Sequence, residues 1–166
     1  GMQKVQVEDC LDFSIPIGKE SATLSSLLSS YLKYDFLEDV FCQRCGKNQD
    51  HNRTSRFVQL PEVLLISLNR FDNKRNKIPT GVIAENVIDI GMLTIDGHST
   101  TANYALHGVV EHLGDSADRG HYVSFIRSVD RKKFYRYDDA RVTRAEVLPQ
   151  TGYLFAYIRC DEPNEV

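Results

Sequence analysis

From Thr23 to Phe36 the apolar residues Leu24, Leu27, Leu28, Tyr31 and Leu32 recur at i, i+3, i+4, i+7 and i+8, the stripe of an amphipathic helix. The spacing predicts one longer helix over 23–36. A second, short helix is predicted at Thr143-Arg144-Ala145-Glu146, where a Thr N-cap and a Glu three residues on form a capping box before Val147 and Leu148. Pro149 limits its length. Elsewhere the period changes. Val63 to Leu68 is a nearly continuous apolar run after Pro61, as expected of a strand buried on both faces. Tyr104 to Val110, Tyr122 to Ile126 and Tyr153 to Ile158 alternate between two faces, the pattern of half-buried antiparallel strands. Polar, glycine-containing loops are expected at Asp96–Asn103 and Leu113–Gly120, and a tight charged turn at Val129–Lys133. The fold class is therefore α+β, mainly antiparallel sheet with one longer and one short helix. No repeat or flexible linker divides the 166 residues, so they read as one domain or one piece of a domain.

Composition narrows the function classes. Twenty Lys and Arg against 23 Asp and Glu give a net charge of −3, which argues against nucleic acid or an anionic membrane as partner. No apolar run approaches the roughly 18 residues needed to span a bilayer. At 42% apolar residues, disordered and coiled-coil readings fall away. The four cysteines, two of them paired as Cys42-Gln43-Arg44-Cys45, are too few and too close for a secreted disulfide framework. They suit a reducing compartment, and the expected location is cytoplasmic or nuclear.

Two groups of residues carry candidate chemistry. Gly120-His121-Tyr122 lies where a loop meets a strand, so a rigid element holds an imidazole at a site edge. If His121–Ser128 and Phe134–Asp138 fold about the charged turn, His121 and Asp138 meet across neighbouring strands, at roughly 5 Å between Cβ atoms if directly opposite. An Asp beside a His is the orienting half of a nucleophilic triad. The plainer reading is a strand histidine followed by two turn-capping acids, Asp138 and Asp139. The second group is Cys42-x-x-Cys45 before Gly46, which resembles one zinc knuckle and offers two of four tetrahedral ligands. A structural zinc therefore requires two further ligands, with Cys10, His51 or Cys160 as improvised ones.

Taken in order, several motifs resemble the C-terminal part of the catalytic domain of ubiquitin-specific proteases, which are papain-like cysteine peptidases. They are Leu11 to Ile17, the amphipathic helix, Cys42-x-x-Cys45 with Gln49, Leu60-Pro61-Glu62-Val63-Leu64 leading to Leu68-Asn69-Arg70-Phe71, and Tyr104 to His112. Arg119-Gly120-His121-Tyr122-Val123, Phe134 to Asp139 and Gly152 to Tyr157 complete the set. The resemblance implies that residues 61–159 form the palm sheet and 3–60 a fingers-like part. It implies His121 as general base, Asp138 as orienting acid and Asp139 as support to the site or its oxyanion. Gly120, Tyr122, His112 and Tyr135 become candidate substrate-binding residues, with Tyr122 lining a narrow channel for a Gly-Gly tail. Leu113–Gly120 becomes a blocking loop beside that tail, and Cys42 and Cys45 half of a zinc site, with no cofactor needed for catalysis.

The sequence also departs from the family pattern. It contains no Gly-Asn-Thr-Cys box for the nucleophile and no first Cys-x-x-Cys, and Asn69 stands where Lys is usual. The reading that follows is the C-terminal portion of a deubiquitinating enzyme whose nucleophilic cysteine lies in an N-terminal half, with ubiquitin or a ubiquitinated protein and that half as partners. This chain alone is then expected to be inactive. The alternative is a ubiquitin-binding domain without catalysis. A self-contained thiol peptidase using Cys10 is disfavoured, because Glu8, Asp9 and Asp12 would raise the thiol's pKa.

Overall fold

A computed structural model describes residues 5–33, 35–95 and 101–160. Its main body is an eight-stranded mixed sheet. The path runs β1 (Phe13–Pro16), β5 (Val63–Asn69), β12 (Gly152–Cys160), β8 (Asn103–Ser116), β9 (Arg119–Arg127), β10 (Phe134–Asp138) and β11 (Arg141–Ala145), with β7 (Val87–Asp89) also paired to β8. The α+β class holds, and most pairs are antiparallel; β1 runs parallel to β5. Two small sheets complete the structure, β2 (Ala22–Thr23) with β6 (Val82–Ile83) and β3 (Asp35–Cys42) with β4 (Lys47–Arg53).

The apolar run Val63–Leu68 is an interior strand, flanked by the edge strand β1 and by β12, and Leu64, Ile66 and Leu68 join the core. Val63 at its entry is exposed. The alternation of β8 changes face midway: the core side chains are Tyr104 and Leu106 before Gly108 and Val109 after it, a shift from even to odd positions. A bulge opposite Ala156 and Tyr157 inserts the extra residue that turns the strand over.

The helix α1 spans Leu24–Tyr31, shorter than the 23–36 expected. Thr23 caps it by accepting from Ser26 N at 3.2 Å, and the Glu85 carboxylate accepts from Leu24 N and Ser25 N at 3.1 and 3.3 Å. Its C-terminal end is closed by Thr54 Oγ1 and the Arg56 guanidinium, both donating to Leu32 O. Leu24 and Leu28 enter the core.

The short helix expected at 143–148 is absent: Arg141–Ala145 is the edge strand β11, in register with β10 from Asp138↔Arg141 to Phe134↔Ala145. A capping box saves one or two hydrogen bonds over a single turn, whereas the ladder to β10 satisfies a whole strand, and Val142 and Thr143 are β-branched. The loop expected at Leu113–Gly120 is also largely strand: β8 continues to Ser116, β9 begins at Arg119, and Ala117-Asp118 turns the chain. Of the loop expected at Asp96–Asn103, residues 96–100 lie outside the described residues, and Asn103 opens β8. Within residues 5–60, β1 joins the main sheet, Leu24 and Leu28 of α1 enter its core, and the hairpin β3–β4 forms a sheet of its own.

Candidate active site

The site lies where β9 and β10 reach one end of the sheet. Tyr137 pairs with Ser124 and Phe134 with Arg127, so the register is two residues away from one that would set His121 directly opposite Asp138. The two are diagonal neighbours on the same face, a separation that side chains can bridge. His121 Nε2 lies 2.6 Å from Asp138 Oδ1. Arg136, two residues earlier on the same strand face, places Nη1 2.8 Å from the other oxygen, Asp138 Oδ2. The bonds from His121 and then Arg136 hold the Asp138 carboxyl below the ordinary carboxylate range. Asp139 Oδ2 is 3.9 Å from His121 Nε2, and its φ of +50° turns the chain from β10 into β11. His121, Asp138 and Asp139 are the one group of three potential ligand side chains among the described residues, and no cysteine belongs to it.

His121 is partly exposed, at 43% of its side chain, which leaves the ring reachable from outside. Because Nε2 is committed to Asp138, Nδ1 is the nitrogen that can face a nucleophile. A carboxylate on Nε2 fixes the ring's tautomer and stabilises the imidazolium formed on proton uptake.

Next to His121 along β9, Tyr122 belongs to an aromatic group. Its ring is 4.9 Å from that of His112 and 6.2 Å from that of Tyr153, while Phe71 is 5.5 Å from His112 and 6.3 Å from Tyr153. Tyr122 is exposed and His112 buried, with His112 Nδ1 lacking a hydrogen-bond partner among the described residues. Burial, then the nearby Lys77 charge, pushes the His112 pKa down, so its ring is held neutral. Gly120 is required here: a Cβ on it would sit 2.1 Å from His112 Nε2 and 2.6 Å from Leu113 O.

The turn beyond this group is tied to a second loop. Lys77 N donates to Asp115 O at 2.7 Å, Ala117 N to Arg75 O at 2.9 Å, and Arg75 pairs with Asp118 at 2.6 Å. The Lys77 ammonium donates to His112 O.

The structure thus brings together the side chains of His121, Asp138 and Asp139; Gly120 and Tyr122 adjoin His121 along β9, where alternation turns Tyr122 to the other face with its cross-strand partner His112. Tyr135 alternates with Arg136 along β10 and pairs with Ile126 and Arg144, which puts it on the Tyr122 face of the sheet, four residues further along β9, with no ring contact to the aromatic group among the described residues. Sequence reasoning passed over Arg136, Phe71 and Tyr153. The i, i+2 spacing of Arg136 and Asp138 was a legible signal for the first. Phe71 and Tyr153 are 82 residues of chain apart and no local pattern joins them.

Cys42 and Cys45 lie on the separate hairpin, Cys42 buried and Cys45 exposed. The Cys45 main chain, the Cys45 thiol and the Arg44 main chain hydrogen-bond to Cys42 and hold its thiol below the usual range, while Gly46 turns the chain with φ of +66°. That is the donor chemistry of a metal-binding knuckle, but among the described residues no third cysteine, histidine or carboxylate joins the pair. Two thiols are two of the four ligands that a tetrahedral zinc site needs. His51 Nδ1 lies 2.9 Å from Gln49 O.

Residues 8–157 match the family model described as ubiquitin carboxyl-terminal hydrolase. Ubiquitin carboxyl-terminal hydrolase 20 of Arabidopsis thaliana is 33% identical over 146 residues, covering 82% of this chain and 21% of that protein. Ubiquitin carboxyl-terminal hydrolase 16 of the same plant is 28% identical over 162 residues, covering 92% of this chain and 16% of that protein. Among solved structures, the Ubp8 DUB module of SAGA with Sgf11, Sus1 and Sgf73, bound to monoubiquitin, aligns with a TM-score of 0.81 and 26% identity over 96% of this chain and 37% of that one. The chain therefore spans between a sixth and a quarter of the length of the curated relatives it matches.

Proposed function

Since the chain belongs to the ubiquitin carboxyl-terminal hydrolase family, we propose that it carries the base-and-acid half of a deubiquitinating cysteine protease, with the nucleophilic cysteine supplied by another part of the full protein. The observation that carries this reading is the 2.6 Å bond from His121 Nε2 to Asp138 Oδ1, which leaves Nδ1 for the thiol. In the proposed reaction His121 Nδ1 takes the thiol proton as sulfur attacks the carbonyl of ubiquitin's terminal glycine. The imidazolium then protonates the leaving amine, and a thioester forms. Water, deprotonated by the same nitrogen, hydrolyses the thioester and releases the thiol. Asp138 orients the ring and balances its charge throughout, and Asp139 supports the polar end of the site. Tyr122 and His112, with Phe71 and Tyr153, form the wall past which a side-chain-free Gly-Gly tail threads.

Cys42 and Cys45 would supply two ligands to a structural zinc completed from outside these residues. The bond-making chemistry draws nothing from that metal. The compartment that suits these free thiols is the cytosol or nucleus.

The test is labelling by a ubiquitin probe carrying a C-terminal electrophile. The 166-residue chain should bind ubiquitin yet stay unlabelled, and the full protein should react at a cysteine outside this chain. Labelling of the isolated chain at Cys10 would overturn the reading. A full protein that binds ubiquitin and never reacts would establish a binding domain instead.

A further inference from the structure

Arg70 follows the end of β5 and, at 1% exposure, heads the largest fully buried side chains of the protein. No carboxylate pairs with it among the described residues; Glu111 acts on it only at a distance. Its guanidinium is instead surrounded by main-chain carbonyls. Nε donates to Gly152 O at 2.5 Å and Nη2 to Gln150 O at 2.9 Å. Nη1 donates to Thr80 O at 2.7 Å and to Ile78 O at 3.2 Å.

A cation buried among neutral acceptors carries a desolvation penalty, which the distant Glu111 charge offsets only in part. What the residue contributes is shape: a rigid planar fork whose donors diverge toward four carbonyls at once. Lysine, a single point with three donors on a flexible stem, cannot span that arrangement. The carbonyls belong to two segments remote in sequence, 78–80 and 150–152. Each adjoins an aromatic of the site: Tyr153 follows Gly152, and Phe71 follows Arg70 and is bridged to Lys77 beside Ile78. Ile78 N also donates to Arg70 O at 2.7 Å, so the loop carrying Phe71 is closed at its base by Arg70's main chain and side chain together.

We infer that Arg70 is a positioning residue for the tail channel: its guanidinium fixes the main chain on both sides of Phe71 and Tyr153 and so sets the 6.3 Å separation of their rings. This rests on the reading of that aromatic wall given above. Arg70 touches no substrate; it acts through the two rings.

The experiment compares the chain's affinity for ubiquitin with that for ubiquitin lacking its terminal Gly-Gly. The ratio of the two reports the channel alone. Arg70→Lys should cut that ratio about tenfold and leave affinity for the shortened ubiquitin within about twofold. Tyr153→Ala should cut it similarly, and the double variant should be no worse than Tyr153→Ala, because both act through one wall. Equal loss for both ubiquitins, or an unchanged ratio, would reduce Arg70 to a structural role and overturn the inference. If Arg70→Lys does not fold, NMR of the unmodified chain decides. Slowly exchanging Arg70 guanidinium protons with contacts between the Phe71 and Tyr153 rings support the inference, and rapid exchange overturns it. An unmodified chain that fails to distinguish the two ubiquitins would overturn the channel reading, while the ring contacts in Arg70→Lys would still decide whether Arg70 sets the spacing.

Discussion

His121 and Asp138 are joined by a 2.6 Å hydrogen bond although they are diagonal, not opposite, across β9 and β10. Diagonal geometry leaves room for Arg136 on the second carboxylate oxygen. In the full protein, Asp138→Ala should lower kcat by roughly 10²- to 10⁴-fold with little change in KM. Asp138→Asn should lose less, because the amide oxygen still accepts from Nε2–H while the charge opposite the imidazolium is gone. Steady-state kinetics on the two variants checks the order, and equal losses would mean that charge, not orientation, dominates.

Gly120→Ala should be among the most damaging single-carbon additions in this chain. The new methyl would fall 2.1 Å from His112 Nε2, beside the immovable Leu113 carbonyl at 2.6 Å. Relief requires His112 to leave its place against Phe71 and Tyr122. Denaturant unfolding should show a loss of roughly 1–3 kcal/mol, and ubiquitin affinity should fall with it.

His112 gives the protein a definite acid sensitivity. Its pKa is lowered on folding by burial and by Lys77, so the folded state resists a proton that the unfolded state accepts near pH 6.5. Stability is fully present above that pH and is lost progressively as pH falls toward the depressed folded value. Unfolding measured from pH 7.5 to 5 should show this slope, and His112→Phe should flatten it. An unchanged slope would place the proton elsewhere.

Arg75 offers a cancellation. Its exposed ion pair with Asp118 should contribute at most about 1 kcal/mol, but its φ of +65° is a conformation that favours glycine. Arg75→Gly should therefore leave stability within about 0.5 kcal/mol of the starting value. Arg75→Ala, which loses the pair and keeps the strained φ, should be clearly worse.

Zinc provides a last check. With two thiol ligands among its described residues, the isolated chain should hold no zinc against a chelator, and its melting temperature should not change on treatment. Retention of one tightly bound zinc per chain would show that further ligands come from within these residues.

How much of this was legible in the chain varies with the range of the interaction. Leu24 to Leu32 announced a helix because the signal repeats over two turns, but its end was set by Thr54 and Arg56 meeting Leu32 O from more than twenty residues away. Thr143 to Glu146 misled because the capping-box pattern is only four residues long, and the strand pairing of Thr143 with Arg136 outweighs it. The pairing of His121 with Asp138 could be anticipated from two strands flanking one charged turn. Their offset could not, because it depends on how Ser128 to Lys133 closes, where Ser128 N donates to Lys133 O. Phe71, Tyr153 and the carbonyls around Arg70 meet only through the order of strands in the sheet, which no local pattern encodes.

That order has a consequence for how the chain is made. β12, the last of these strands in chain order, lies inside the sheet between β5 and β8. Until residues 152–160 emerge, those two strands carry open, largely apolar edges, the kind of surface on which nascent chains associate wrongly. Pairing that joins such distant stretches is slow to form. A growing polypeptide of this kind can therefore join β5 to β8 through β12 only after residues 152–160 have been made.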